Sequence, residues 1–213
     1  MRLKLSGIGA LAASIALVLA ACSSQTEPAR DVATTPTTSA PACVVGEPGP
    51  GGGTIFYQDM SRPAGSRCFE AAPSGWYGHA GDPDERLAWG TGKKGTGKCA
   101  STSIATRTGI GTGEANTTAI TSDDACDTPE KAPAAWAAKN YAGGEKSDWF
   151  LPSMDELNQL YIQKAAVGGF AGVIYWSSSV FDLDHAWYQS FDDGVQDSRY
   201  KLIPLRVRPV RAF

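Results

Sequence analysis

The sequence predicts an α+β domain: two central helices, short antiparallel strands and long loops. Three observations carry this. Apolar runs with strand character lie towards both ends of residues 43–213. Two helix-start signatures lie between them. The segment 75–125 is dominated by Gly, Thr, Ser and Asp and reads mostly as loop. Helices segregated from antiparallel strands make an α+β architecture.

The elements follow in order. Thr54-Ile55-Phe56-Tyr57 is a strand, entered from the glycine-rich turn Pro48 to Gly53. Cys68-Phe69-Glu70-Ala71 is a second strand. Thr128-Pro129-Glu130 opens a helix, because proline is preorganised for the first helical turn. That helix runs through Ala134, Trp136 and Ala137 and stops at Gly143-Gly144, where a left-handed residue terminates it. Trp149-Phe150-Leu151 is a short apolar run ended by Pro152. Ser153 with Glu156 three residues on is a capping box. The helix it starts places Met154, Leu157, Leu160 and Tyr161 on one face. Strand character returns at Val173–Trp176, Ala186–Phe191 and Leu205–Arg208, with a hairpin turn at Asp192-Asp193-Gly194.

The totals exclude some classes. The 213 residues suit one domain with appendages. With 19% charged residues and a net charge of −3, there is no basic field for nucleic acid. No pattern of repeated spans marks a multi-span membrane protein.

The N-terminus reads as an address. Met1-Arg2-Leu3-Lys4 is a positive n-region, and Gly7–Ala21 is an uncharged apolar run too short for a comfortable span. Leu19-Ala20-Ala21-Cys22 matches the bacterial lipobox. The expectation is a lipoprotein signal peptide over 1–21, cleaved before Cys22, with a lipid on the Cys22 thiol. The protein would then be exported and held on the outer face of a bacterial membrane. Cleavage removes Arg2 and Lys4, so 17 basic residues face 22 acidic ones, a net of −5. Residues 22–42 form a Ser/Thr/Pro-rich tether that buries too little apolar surface to offset its ordering entropy. Fully extended, at about 3.1 Å per residue, it reaches some 60 Å. A glycosylated stalk is the other reading of this stretch. The globular domain spans 43–213.

Cysteine arithmetic supports this division. Of five cysteines, Cys22 belongs to the anchor. Cys43, Cys68, Cys99 and Cys126 remain as an even set in an exported domain. Three pairings exist. Neighbouring pairs, Cys43–Cys68 and Cys99–Cys126, would each close a loop of about 25 residues and contribute about 3 kcal/mol. The rivals are free thiols and zinc, and zinc prefers close Cys-x₂₋₄-Cys spacing that this chain lacks.

Other motifs point weakly to chemistry. Gly92–Cys99 nearly spells a phosphate loop but has Cys99 where magnesium needs a hydroxyl. Gly109-Ile110-Gly111-Thr112-Gly113 reads as a tight turn. His79 and His185 lack a triad setting, so no catalytic residue is assigned. The candidate ligand-binding residues are Trp176, Asp182, Asp184, Trp187, Asp192 and Asp193. Aromatics can platform a sugar or peptide, and the aspartates, with Asp197, offer oxygen ligands to calcium, the one cofactor that the pattern suits. Their other reading is turn formation at strand ends. Of the six tryptophans, at least four are expected in the core. Arg199, Lys201, Arg206, Arg208 and Arg211 form a basic stretch expected to pair with the acidic cluster.

These residues together resemble a known family. The pieces are Val45–Tyr57, Glu70–Trp76, Ile110–Gly113, Tyr141–Gly144, Asp148–Ser153, Asp155–Leu157, Tyr175–Ser179, Ala186-Trp187 and Val207–Arg211. In this order they resemble the C-terminal domain of the Lcl collagen-like bacterial adhesins, over about residues 43–213. The resemblance implies a C-type-lectin-like fold, related in shape to the formylglycine-generating enzymes, and an association with sulfated glycosaminoglycans. The chain departs in lacking a Gly-X-Y stalk and in being acidic. No cysteine follows Cys126, so the enzyme chemistry is not carried over.

The expected function is a lipid-anchored binding or adhesion module for a glycan or another envelope or extracellular partner. The alternatives are an extracytoplasmic enzyme and a structural envelope lipoprotein. A pocket of convergent titratable groups would favour the enzyme, and a shallow aromatic surface would favour binding.

Overall fold

A computed structural model describes residues 43–78, 84–92 and 98–213. The signal and lipobox through Cys22, the tether 22–42, His79 and Lys93–Gly97 lie outside the described residues. The described residues belong to one compact unit.

Two sheets organise it. The first is three-stranded and antiparallel, in the order β1 (Thr54–Gln58), β2 (Cys68–Ala71), β8 (Val210–Ala212). It joins the beginning and the end of the domain. Glu70 on β2 is fully buried. Its carboxylate accepts from Gly51 N at 2.9 Å and Gly53 N at 3.0 Å, and pairs with Arg211 at 2.8 Å. Gly53 has to be glycine, since a Cβ there would run into the Ala71 carbonyl.

The second sheet has the order β3 (Arg86–Leu87), β7 (Leu205–Arg206), β4 (Ile174–Val180), β5 (His185–Ser190), β6 (Gln196–Tyr200). Among the described residues only the β4–β7 pairing is parallel. The turn at Asp192-Asp193-Gly194 joins β5 to β6 as expected. β6 itself reads Gln-Asp-Ser-Arg-Tyr, too polar for a strand signal, and exists because β5 supplies its backbone partners.

The helices are α1 (Gly113–Ser122), α2 (Pro133–Asn140), α3 (Met154–Ile162) and the single turn α4 (Lys164–Val167). The capping box forms at α3: Ser153 Oγ accepts from Glu156 N, and Glu156 Oε2 accepts from Ser153 N at 2.7 Å. α2 starts later than expected. Its first-turn proline is Pro133, because residues 128–132 close a turn on the Thr128 carbonyl. α1 lies inside the stretch read as loop. Its buried face sets Ile120 among Asn116, Thr117 and Thr121, one large apolar residue where a stripe would need several. Thr117 Oγ1 donates to Gly113 O at 2.8 Å and accepts from Leu151 N at 3.0 Å. A polar face held by tertiary bonds replaces the hydrophobic one.

Cys43 pairs with Cys68 and Cys99 with Cys126, the neighbouring pattern. Four tryptophans, Trp76, Trp89, Trp149 and Trp176, are buried, as expected. One correction concerns charge. Among the described residues, Arg208 and Arg211 do not pair with the acidic cluster of 182–197. Arg208 instead meets Asp84 at 2.5 Å, and Arg211 meets Glu70 and Asp148. Lys201 donates to backbone carbonyls. These partners come from distant parts of the chain, which no local pattern announces.

Candidate functional site

The candidate residues fall in three places. Trp176 is in the core with no exposure, its Nε1 donating to Leu87 O at 3.0 Å. It has no surface to offer a ligand, which corrects its assignment. Asp192 and Asp193 sit at the β5–β6 turn. Asp193 Oδ1 accepts from Val195 N at 3.1 Å, and the Ser190 hydroxyl helps hold its carboxyl below the ordinary value. Asp182, Asp184 and Trp187 gather at the opposite end of β5. The two ends are separated by roughly 20 Å of strand, at about 3.3 Å per residue. The aspartates therefore do not converge on one centre. Among the described residues no group of three His, Cys, Asp or Glu side chains is placed to hold a metal.

The Asp182 end is a built surface. β4 and β5 are joined by Phe181–Asp184, folded back on itself. Phe181 N and Asp182 N both donate to His185 O, at 3.0 and 3.2 Å. Asp182 Oδ1 accepts from Asp184 N at 2.9 Å and His185 N at 2.8 Å, an Asx-type turn. The same carboxylate meets His185 Nδ1 at 2.8 Å. Slight burial works against ionisation, but the His185 ring and these two N–H groups outweigh it, and the Asp182 carboxyl stays below its ordinary value.

Register then assembles four aromatic rings. His185 is opposite Tyr200 and Trp187 is opposite Ser198, and alternate residues of a strand share a face. The His185 and Tyr200 rings pack at 4.2 Å, tilted by 36°. Phe181 stands edge-on to Trp187 at 4.9 Å and to His185 at 6.5 Å. Phe181 is 51% exposed and Tyr200 46%, with Leu183 at 50% beside them. Such rings normally sit in a core. Here Phe181 and Tyr200 are exposed and His185 and Trp187 half-buried, and together they form an aromatic platform with one carboxylate at its edge.

Buried polar groups hold the platform from below. Lys201 is fully buried, and its ammonium donates to the carbonyls of Thr102, Asp182 and Leu183 at 2.8, 3.2 and 2.9 Å. It also lies 4.8 Å over the Trp89 ring. Burial lowers it to about 8, opposed by Asp182 and Asp184. Ser101 Oγ donates to Asp184 Oδ1 at 2.6 Å. Asp184 is thus a structural latch rather than a group offered to a ligand.

Chemically the platform can stack and accept one hydrogen bond. His185 is paired with Asp182, but among the described residues no hydroxyl or thiol bonds to its ring. Of the residues gathered here, the sequence reading names Asp182 and Trp187 as candidates and does not so name Phe181, His185 or Tyr200. The missing signal was the strand β6, which sets Tyr200 opposite His185.

The model of the family described as the Lcl C-terminal domain matches residues 78–211. That range takes in the platform, the buried lysine beneath it and all four helices. No curated protein matches the chain.

Proposed function

The chain belongs to the Lcl C-terminal domain family, and from that premise we propose that it is a binding or adhesion module. In this reading Cys22 carries a lipid that anchors it to the outer face of a bacterial membrane. The tether presents the domain to a glycan or another envelope or extracellular ligand. The finer fold reading is C-type-lectin-like; the closing of the chain ends by β1-β2-β8 and the two disulfides support it.

The observation that carries the proposal is the aromatic platform of Phe181, His185, Trp187 and Tyr200. Exposed aromatic clusters are where contact energy concentrates in interfaces. Phe181, at the rim of the platform, is 51% exposed. The test is adhesion of the full chain, displayed on beads, to isolated cell-wall material and to extracellular-matrix glycans. Phe181→Ala and Trp187→Ala should lose most of the binding. Val195→Ala, exposed elsewhere, should retain it. Equal binding by all of these would refute the platform.

A further inference from the structure

The rings of the platform do not lie flat. Phe181 is inclined at 86° to Trp187 and at 87° to His185, with centroids 4.9 and 6.5 Å away. It stands as a wall beside a floor of Trp187 and His185, which lie two residues apart on one face of β5. Tyr200 backs the floor, its ring 4.2 Å from that of His185. The flat C–H face of a sugar can lie on one ring of such a corner at a time. A near-spherical group can touch wall and floor together.

Charge narrows the choice. The face of an aromatic ring attracts a cation held within about 6 Å of its centroid. The Asp182 carboxylate lies at the edge of the corner, its side chain 48% exposed. Slight burial opposes its charge, and the His185 ring with the N–H groups of Asp184 and His185 more than restores it. The negative charge is present, yet the acceptor positions are largely taken. Oδ1 accepts from Asp184 N and His185 N and meets His185 Nδ1, and Oδ2 lies 3.0 Å from the same ring nitrogen. A primary ammonium or a guanidinium brings several N–H donors that each need an acceptor. A quaternary ammonium brings none and asks only for charge and carbon surface. The buried Lys201 beneath is directed to the carbonyls of Thr102, Asp182 and Leu183 and to the Trp89 ring. Arg199 lies opposite Ala186, on the other face of the sheet from His185 and Tyr200. A bilayer of choline lipids also offers quaternary ammonium groups, but docking on it would press the ionised Asp182 into the interface at a desolvation cost. A single substituent leaves that carboxylate wet.

We infer that the corner of Phe181, Trp187 and His185, with Asp182 at its edge, binds the trimethylammonium group of a choline-type substituent on an envelope or extracellular ligand. This rests on the platform being the binding surface and names the group that it grips.

The experiment uses the full chain in nanodiscs of choline-free lipid. The probes are choline and phosphocholine, the neutral isostere 3,3-dimethyl-1-butanol, ethanolamine as a primary ammonium, and maltotriose. Calorimetry measures affinity, and saturation-transfer NMR shows which probe protons touch the protein. Choline or phosphocholine should bind through its methyl groups, at least about tenfold tighter than the isostere or ethanolamine. Phe181→Leu, which keeps an apolar side chain and removes the ring, should weaken binding at least about fivefold. Asp182→Asn keeps an oxygen for the turn and removes the charge, and should weaken it by a similar factor with near-UV circular dichroism unchanged. Choline no tighter than its isostere, affinity unchanged in Phe181→Leu, maltotriose bound in place of choline, or binding only to phosphatidylcholine vesicles would each overturn the inference. Bead adhesion separates this from the platform itself. Adhesion lost in Phe181→Ala but indifferent to excess choline overturns the ammonium site and leaves the platform standing. Adhesion kept in Phe181→Ala, with choline binding lost in the same variant, upholds the ammonium site and refutes the platform as the adhesive surface.

Discussion

Asp84→Asn is the sharpest test of how this domain is held together. Asp84 and Arg208 are each about 1% exposed. Asp84 Oδ1 accepts from Arg208 Nε at 2.5 Å, and Oδ2 accepts from Nη2 at 2.9 Å, a bidentate pair. Tyr175 donates its hydroxyl to the same carboxylate at 2.7 Å. Burial, followed by the Asp84 charge, pushes that phenol far above its ordinary value. Arg208 continues to Ala72 O and Gly169 O, at 3.0 and 2.8 Å, and lies 4.3 Å over Phe170. The substitution keeps the shape and removes the charge. Arginine cannot shed its proton, so a buried guanidinium is left uncompensated. Breaking one partner of a buried pair costs about 3–5 kcal/mol. At this size 1 kcal/mol shifts the melting temperature by about 2–4 °C, so the expected drop is roughly 6–20 °C. Urea unfolding followed by tryptophan fluorescence and far-ultraviolet circular dichroism, disulfides intact, measures it. Adding Arg208→Met removes the stranded charge, so the double variant should lose less than the two single losses combined. An Asp84→Asn variant within about 1 kcal/mol of wild type, or strict additivity, would refute the reasoning.

Three further outcomes are expected. Lys201 has a folded-state pKa of about 8 against 10.5 when unfolded. Between those pH values the unfolded chain binds more protons, so stability rises with pH. The wild type should gain up to about 3 kcal/mol over Lys201→Met across this window, and a flat difference in paired urea titrations counts against the buried ammonium. Replacing Cys99 and Cys126 by alanine opens a loop with a separation of 27 residues. It should cost about 3 kcal/mol in the same assay, and a cost below about 1 would deny the loop-closure account. Labelled palmitate should enter the wild type and not Cys22→Ala; equal labelling would dismiss the anchor.

The site shows where local reasoning reached and where it stopped. Asp182 and Trp187 were legible because an Asp-rich turn before an aromatic strand is a local pattern. Trp176 was misplaced because β4 reads the same whichever face its tryptophan takes. Its Nε1 bond to Leu87, on a strand far away in the chain, decides the matter. α1 escaped for a related reason: Thr117 buries its hydroxyl, and its partner Leu151, 34 residues on, is met only after folding.

By itself the sequence determined the α+β class, the α3 capping box, the β5–β6 turn and an even set of four cysteines from Cys43 onward. Each rests on spacing within a few residues or on counting. Only the tertiary structure decided which charges pair, which tryptophans are buried and which rings share a surface. Asp84 meets Arg208 across 124 residues, and Tyr200 reaches His185 through a strand too polar to announce itself. Those outcomes depend on which groups must be satisfied together once water is excluded, and that is settled across the whole fold.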